Sequence, residues 1–130
     1  MQQGTLYLLP VGLGECDLET VLPKRNFELI DKLNYFIAEN AKEARAFLKQ
    51  CKYQEISRAD IQLINQHTKT EELNEYLLPI KNGHDIGLMS DAGCPGIADP
   101  GAEIIKQAHR KKIKVVPLVG PSSIVLSIMA

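Results

Sequence analysis

The sequence predicts an α/β fold in which a five-stranded, mostly parallel sheet carries helices on both faces. Five short apolar runs alternate with longer segments whose apolar residues recur at helical spacing. This alternation is typical of parallel strands that are joined by helices. The runs are also nearly continuous in apolar residues, which is expected when helices cover both faces of a sheet.

The five apolar runs predict strands of four or five residues. They lie at residues 5–9, 35–38, 61–64, 85–89 and 115–119. The last run contains Pro117, which has no N–H to donate to a neighbouring strand. This residue places the fifth strand at an edge of the predicted sheet.

Five helices are expected between and after these strands. Residues 26–33 and 41–50 have amphipathic spacing, and in the second segment Ala44, Phe47 and Leu48 share one face. A capping box at residues 68–71 predicts the start of a third helix, which Pro79 should end or kink. A fourth helix is expected from Pro100 to the basic turn at 109–112, and residue 121 should open the fifth.

The composition places the chain among ordinary globular proteins and excludes several classes. Fifteen basic and sixteen acidic residues give a net charge of -1, so there is no overall footprint for nucleic acid, although a local patch could exist. The three cysteines form no CxxC or zinc spacing, and the three histidines share no metal-like spacing, so no metal is predicted. No apolar run approaches ~20 residues and no secretory signal is present, which predicts a cytoplasmic protein without a membrane partner.

The predicted site lies in the loops that follow the strands, because ligands of open parallel sheets bind beyond the carboxyl ends of the strands. The most distinctive loop, at 90–101, reads SDAGCPGIADPG. Its three glycines allow close approach of backbone atoms to a ligand, and its two prolines stiffen the loop. A simple turn needs neither, although Asp99 and Pro100 would also start a helix well.

Two other loops carry weaker patterns. The run Gly120-Pro121-Ser122-Ser123 could hold a carboxylate or phosphate at a helix start, or could simply initiate that helix. A GxG turn follows the first strand, but the third glycine of the dinucleotide motif is replaced by Asp17. With Glu39 at the end of the second strand, this turn supports an alternative nucleotide-binding interpretation.

On these loops the sequence resembles the tetrapyrrole (corrin/porphyrin) methylase family, and within it the branch that methylates the ribose 2′-hydroxyl of small-subunit ribosomal RNA. That branch has a first strand ending in PIG, a string like SDAGTPGISDPG and a later VPLPGPSA. Here residues 10–12 read PVG, 90–101 read SDAGCPGIADPG, and 116–123 read VPLVGPSS. The order and spacing match over nearly the whole chain.

The resemblance implies a two-domain methyltransferase that binds S-adenosylmethionine in the cleft between its domains and usually acts as a homodimer. Residues 1–130 would be the N-terminal domain, with the C-terminal domain absent, and the apolar residues 124–130, which carry no helix stop, agree with this. The fragment alone is expected to be inactive. The resemblance carries cofactor contacts onto Pro10, Ser90, Asp91, Ala92, Gly93, Pro95, Gly96, Ile97, Ser122 and Ser123.

The departures from the branch concern the substrate side of the cleft. Residues 39–48 read ENAKEARAFL where the branch has EDTRHTRKLL, so Glu39 and Arg45 are kept. His67 is the chief remnant of a HEHNE-like string. Methyl transfer is therefore better supported than ribosomal RNA as the acceptor, and a tetrapyrrole acceptor stays open. No general base is identified. A nucleotide-binding regulatory domain and a catalytically idle assembly module are the alternatives.

Overall fold

The computed structural model describes residues 2–12, 17–90 and 101–130, except for the side chains of Ser123 and Ile124. Its sheet has five strands, all parallel, in the order β3-β2-β4-β1-β5. The strands are β1 (Thr5–Leu9), β2 (Tyr35–Ala38), β3 (Asp60–Leu63), β4 (Ile86–Met89) and β5 (Lys114–Pro117). The predicted α/β fold and its parallel sheet are confirmed.

The predicted edge position of the fifth strand is confirmed. β5 pairs with β1 on one side, and Pro117 lies opposite Leu8 in the register. The pairing continues one residue further, where the Leu118 N–H donates to the Leu8 carbonyl at 3.1 Å. At an edge the missing N–H of proline costs no hydrogen bond to a second neighbour.

Helices cover both faces of the sheet. In the described residues they are α1 (Leu18–Val21), α2 (Lys24–Lys32), α3 (Ala41–Gln50), α4 (Thr70–Tyr76), α5 (Leu78–Lys81), α6 (Gly101–Arg110) and α7 (Ser123–Met129), with a 3-10 turn at Ile56–Arg58. Among these, α2 and α3 pack into one apolar cluster with Leu9, Phe36 and Met89. The helices α4, α5 and α6 pack into a second cluster with Leu6, Ile37 and Leu88.

A glycine in the central strand allows the first cluster to close. A β-carbon built on Gly87 would lie 2.6 Å from a methyl carbon of Leu9 and 2.9 Å from one of Leu33. Both distances are too short for a real side chain, so these two leucines pack directly over the β4 backbone. The neighbouring Leu88 faces the second cluster and is fully buried.

The predicted capping box at Thr68 is wrong. The Thr68 hydroxyl accepts a hydrogen bond from the Asn65 N–H at 2.8 Å, inside the preceding loop. The helix α4 therefore begins one residue later, with Lys69 at the N-cap and no side-chain cap. A short polar side chain can form a hydrogen bond with any of several nearby backbone groups, and here Thr68 bonds to the loop instead of capping the helix.

The break at Pro79 is confirmed, while the start of the last helix needs a correction. α4 ends at Tyr76, and Pro79 lies in the first turn of the separate helix α5, where its missing N–H breaks no helical bond. Pro121 does not open the last helix. That helix begins at Ser123, and the side chain of Ser122 caps it.

Two further differences are small. The helix α1, a single turn, was not predicted because four residues show no periodicity. β5 ends at Pro117 instead of residue 119, and Val119 is 73% exposed. In the described part of the chain no helix is long and apolar enough to cross a membrane.

Candidate functional site

The helix that follows the central strand β4 in the chain packs on the opposite face of the sheet from the helices that follow both of its neighbours. β1 and β2 lead into helices that pack on the first apolar cluster, whereas β4 leads towards α6, which packs on the second. Adjacent strands whose connections part to opposite faces leave a crevice at their carboxyl ends, and open α/β sheets bind ligands there. The topology therefore favours the end of β4 as the binding position.

Two predicted cofactor contacts are brought together at this position. In the register Leu9 lies opposite Met89, so Pro10 and Ser90 follow at the same level of the sheet. Both residues are buried, with Ser90 8% exposed. Glu39 follows β2 on the other side of β4 and is half-buried. The loops after three neighbouring strands thus meet at one edge.

The loop after β5 closes onto Pro10 through a glycine. A β-carbon on Gly120 would overlap the Cβ and Cγ atoms of the Pro10 ring and would lie 3.3 Å from a methyl carbon of Leu22. Only a residue without a side chain allows this approach, so Gly120 fixes the loop of 118–122 against the end of β1.

A buried amide holds the same loop from the helix layer. The Asn26 side chain in α2 is 3% exposed, and its Nδ2 donates to the Val119 carbonyl at 2.8 Å. Neither Asn26 nor Gly120 was predicted from the sequence to position this loop. Asn26 lies among the apolar positions of α2, and this pattern could have indicated its role, because a buried amide needs a hydrogen-bond partner.

Of the two serines predicted to contact the cofactor, only Ser122 has a described side chain. The Ser122 hydroxyl oxygen accepts from the Val125 N–H at 3.3 Å and thereby caps α7, which is the simple helix-starting role weighed above. The same hydroxyl keeps an O–H that can donate to a ligand. Ser123 is the first residue of α7, and its side chain is not described.

Much of the predicted cofactor loop falls outside the described residues. This applies to six of the predicted contacts: Asp91, Ala92, Gly93, Pro95, Gly96 and Ile97. It applies also to Cys94, to Asp99 as a helix cap and to part of the GxG turn after β1. The strand end at Ser90 and the helix start at Gly101 are described, and they fix where this loop leaves and rejoins the fold.

Two of the predicted substrate-side residues lie further from the crevice. His67 is exposed in the loop after β3, and β3 is three strand spacings from β1, a distance of about 14 Å. Arg45 is exposed on the outer surface of α3. The structure thus brings Glu39 close to the Pro10–Ser90 pair and leaves Arg45 and His67 at its periphery.

The described loops at the carboxyl edge carry little positive charge. Asp17 and Glu39 are acidic, and Lys69 lies at the β3 end of the edge. Negative charge at this edge suits a positively charged ligand. In the described residues there is also no group of three or more His, Cys, Asp or Glu side chains that could hold a metal.

A cavity that is partly open to solvent lies at the opposite end of the sheet. It has a volume of ≈ 220 Å³ and opens near the amino ends of β2 and β3, between Tyr35, Asp60 and Tyr76. Burial and the nearby Glu72 and Glu75 carboxylates raise the pKa of Tyr76 above its ordinary value. The sequence did not predict this cavity, and it belongs to a different region from the carboxyl-edge site.

Comparison with known proteins finds several relatives that carry the same name. The chain is 34% identical over 127 residues to the protein named ribosomal RNA small subunit methyltransferase I from Bacillus subtilis, covering 98% of this chain and 41% of that protein. Proteins of the same name from Synechocystis sp. and Leptospira biflexa are 31% identical over 129 residues and 28% identical over 123 residues. They are covered over 43% and 48% of their lengths, and this chain over 98% and 95%.

No protein-family model matches the chain. The chain spans less than half the length of each of these three relatives.

Proposed function

Because the chain belongs to the family of the proteins named ribosomal RNA small subunit methyltransferase I, we propose that it forms one wall of the cofactor cleft of an S-adenosylmethionine-dependent methyltransferase. The proposed acceptor is a ribose 2′-hydroxyl of small-subunit ribosomal RNA. The names of the relatives support a ribosomal RNA acceptor, and the resemblance of the loop motifs supports the ribose position.

One observation supports the cofactor site: Pro10, Ser90 and Ser122, which the resemblance assigns to cofactor binding, follow strands β1, β4 and β5 at the carboxyl edge of the sheet, next to the crevice. The first two follow paired strands, and Gly120 packs against the Pro10 ring. Residues 110 positions apart in the chain are thus held together by backbone packing, which suits a rigid ligand site.

The composition of the edge agrees with the chemistry of this cofactor. S-adenosylmethionine supplies an activated methyl group on a positively charged sulfur, so a methyltransferase must chiefly align its acceptor and exclude water. The buried Pro10 and Ser90 exclude water at the strand ends. The half-buried Glu39 contributes negative charge two strands away from Pro10. These residues fit the cofactor without a metal ligand.

The other wall of the cleft is part of the same proposal. We assign it to a second domain, and the protein to a homodimer, because the resemblance implies both. The length of the relatives supports the second domain. So does α7, whose Val125, Leu126, Ile128 and Met129 side chains are at least half exposed and offer an apolar surface for another domain.

Titration calorimetry with S-adenosylmethionine tests the cofactor site in the intact protein. We expect Gly120→Ala to weaken binding about tenfold or more, because its β-carbon must displace the Pro10 ring and overpacking costs about 1–3 kcal/mol. Thermal unfolding of the same variant serves as the control for general damage. Unchanged affinity in a folded Gly120→Ala variant would show that this edge does not bind the cofactor.

The acceptor is tested by methyl transfer from labelled S-adenosylmethionine to small ribosomal subunits, followed by alkaline hydrolysis of the RNA. A 2′-O-methyl group blocks cleavage of the adjacent phosphodiester bond, because the 2′-hydroxyl is the attacking group in alkali. We expect the label in alkali-resistant dinucleotides. Label in mononucleotides would indicate methylation of a base, and label in tetrapyrroles but not in RNA would indicate the other acceptor class.

A further inference from the structure

The outer face of α3 carries a stripe of three cations, Lys42, Arg45 and Lys49, which we refer to as the α3 stripe. All three side chains are exposed. Their spacing of three and four residues places them within about 60° around the helix axis and along about 10 Å of its length. The buried residues of the helix, including Phe47 and Leu48, face the opposite way.

Within residues 2–12, 17–90 and 101–130, the structure shows no ion pair to the cations of the stripe. Among the described residues, the ion pair found joins Lys24 and Glu28 in α2, and none involves the stripe. The acidic Glu43 in the first turn of α3 lies about 100° away around the axis from Lys42. The stripe therefore presents a positive surface to solvent.

Helix stability explains only part of this placement. Lys49 lies in the last turn of α3, where the helix dipole favours a cation, and Glu43 gives the first turn an acidic residue. Lys42 also lies in the first turn, where the dipole disfavours a cation. Arg45 and Lys49 are four residues apart, so their like charges repel each other on the helix surface.

The stripe begins at the candidate site. α3 follows β2 after Glu39 and its capping residue Asn40, so the Lys42 end lies nearest the carboxyl edge of the sheet. On the opposite face of the molecule, α4 carries Glu71, Glu72 and Glu75 and no basic residue. The α3 stripe and the acidic residues of α4 thus lie on opposite sides of the sheet.

We propose that the α3 stripe binds the phosphate backbone of the RNA acceptor and leads it to the carboxyl edge of the sheet. This inference rests on the proposed function, because the RNA it holds is the acceptor. Exposed lysine and arginine side chains provide most of the affinity of proteins for nucleic-acid backbones, and they do so without reading the sequence. The positive end of α3 at Ala41 adds to the same attraction.

The test compares two triple variants of the intact protein that lose the same charges. The stripe variant is Lys42→Gln, Arg45→Gln and Lys49→Gln. The control variant is Lys81→Gln, Lys106→Gln and Arg110→Gln, whose residues are exposed on α5 and α6 of the other helix layer. Glutamine keeps a high helix propensity, so both variants should fold. Binding of a fluorescent single-stranded RNA oligonucleotide is measured by anisotropy over a series of salt concentrations.

We expect the stripe variant to bind the RNA more weakly and to lower the slope of log affinity against log salt by about 2, since each lost phosphate contact removes about 0.7 for single strands. The control variant should keep a slope close to that of the unmodified protein. If both variants lose RNA affinity equally, or if neither loses it, the proposal that the α3 stripe binds RNA is wrong.

Calorimetry with S-adenosylmethionine separates this inference from the proposed function. Both triple variants should bind the cofactor like the unmodified protein, because none of their substitutions lies at the crevice. If cofactor binding and methyl transfer are retained while the stripe variant binds RNA normally, the α3 stripe does not bind RNA and the proposed function stands. If the unmodified protein binds no RNA, both the proposed role of the stripe and the proposed RNA acceptor are wrong.

Discussion

The helices α3 and α7 use the same kinds of residues in opposite ways. Leu48 of α3 is fully buried in the first apolar cluster, and the exposed side of that helix is charged. Leu126 of α7 is 50% exposed and Ile128 is 80% exposed. A leucine in a helix therefore stabilises this domain only where the helix lies over the sheet, and helical periodicity alone does not tell the two situations apart.

The packing of the domain and the attachment of α7 depend on different residues. The two apolar clusters are formed by residues of the sheet, of the helices α1 to α6 and of the segments that join them. Among the described side chains of α7, at residues 125–129, none belongs to either cluster, and the loop of residues 118–122 attaches this helix to the domain. The stability of the domain and the position of α7 should therefore respond to different substitutions.

The largest effect is expected for Leu48→Ala, which removes a fully buried side chain and leaves a cavity in the first cluster. The free energy of unfolding should fall by about 2–5 kcal/mol. The matched substitution Leu126→Ala should change it by less than about 0.5 kcal/mol, because that side chain is half exposed. Urea unfolding followed by circular dichroism measures both. Similar losses for the two variants would show that α7 packs on the domain after all.

A smaller effect is expected for Asn26→Ala, which removes the anchor of the loop before α7. The substitution removes the buried amide that donates to the Val119 carbonyl, and should cost about 0.5–1.5 kcal/mol. Because this loop forms part of the crevice, affinity for S-adenosylmethionine should also fall. Arg25→Ala, at the neighbouring exposed position, is the control. A stability loss without any loss of cofactor affinity would separate the loop from the site.

The residue that ends α3 gives the third prediction. Burial raises the pKa of the Cys51 thiol from 9.0 to about 12. The folded protein then keeps the thiol proton that the unfolded chain releases, so this contribution to stability is complete below about pH 9 and is lost between about pH 9 and pH 12. Over that window the free energy of unfolding should fall by up to about 1.4 kcal/mol per pH unit.

Cys51→Ala provides the reference for this effect. Tyrosine ionisation affects both proteins in the same way, so the difference between their unfolding free energies at about pH 8 and about pH 10 isolates the thiol. Stability that declines in parallel in the two proteins would mean that the folded thiol ionises as readily as the unfolded one.

Local patterns account for what could be predicted of the elements. The range 41–50 of α3 agrees with its apolar spacing and with the Asn40 cap that accepts from the Glu43 N–H at 3.0 Å. Strands β1 and β2 also have the predicted bounds. The helix cap predicted at Thr68 is wrong because its hydroxyl forms a hydrogen bond within its own loop instead. Such a choice between two nearby partners depends on geometry and not on residue type.

The candidate site was predictable as a set of loops but not as an arrangement. The motifs placed Pro10, Ser90 and Ser122 after strands, and parallel strands place those loops at one edge. That Ser90 lies next to Pro10, and that His67 lies at the far side, follows from the strand order. Asn26 and Gly120 took on their roles only when a distant helix and strand met.

The sequence by itself determined the alternation of strands and helices, the edge position of the proline-containing strand and the loops that carry the family motifs. These depend on periodicity, on the absence of a donor in proline and on the identity of neighbouring residues. The tertiary structure decided which strands are neighbours, which face each helix covers and which leucines are buried. Those properties arise from contacts between residues far apart in the chain. Burial of apolar surface and hydrogen bonding of backbone groups depend on the arrangement of all strands and helices together.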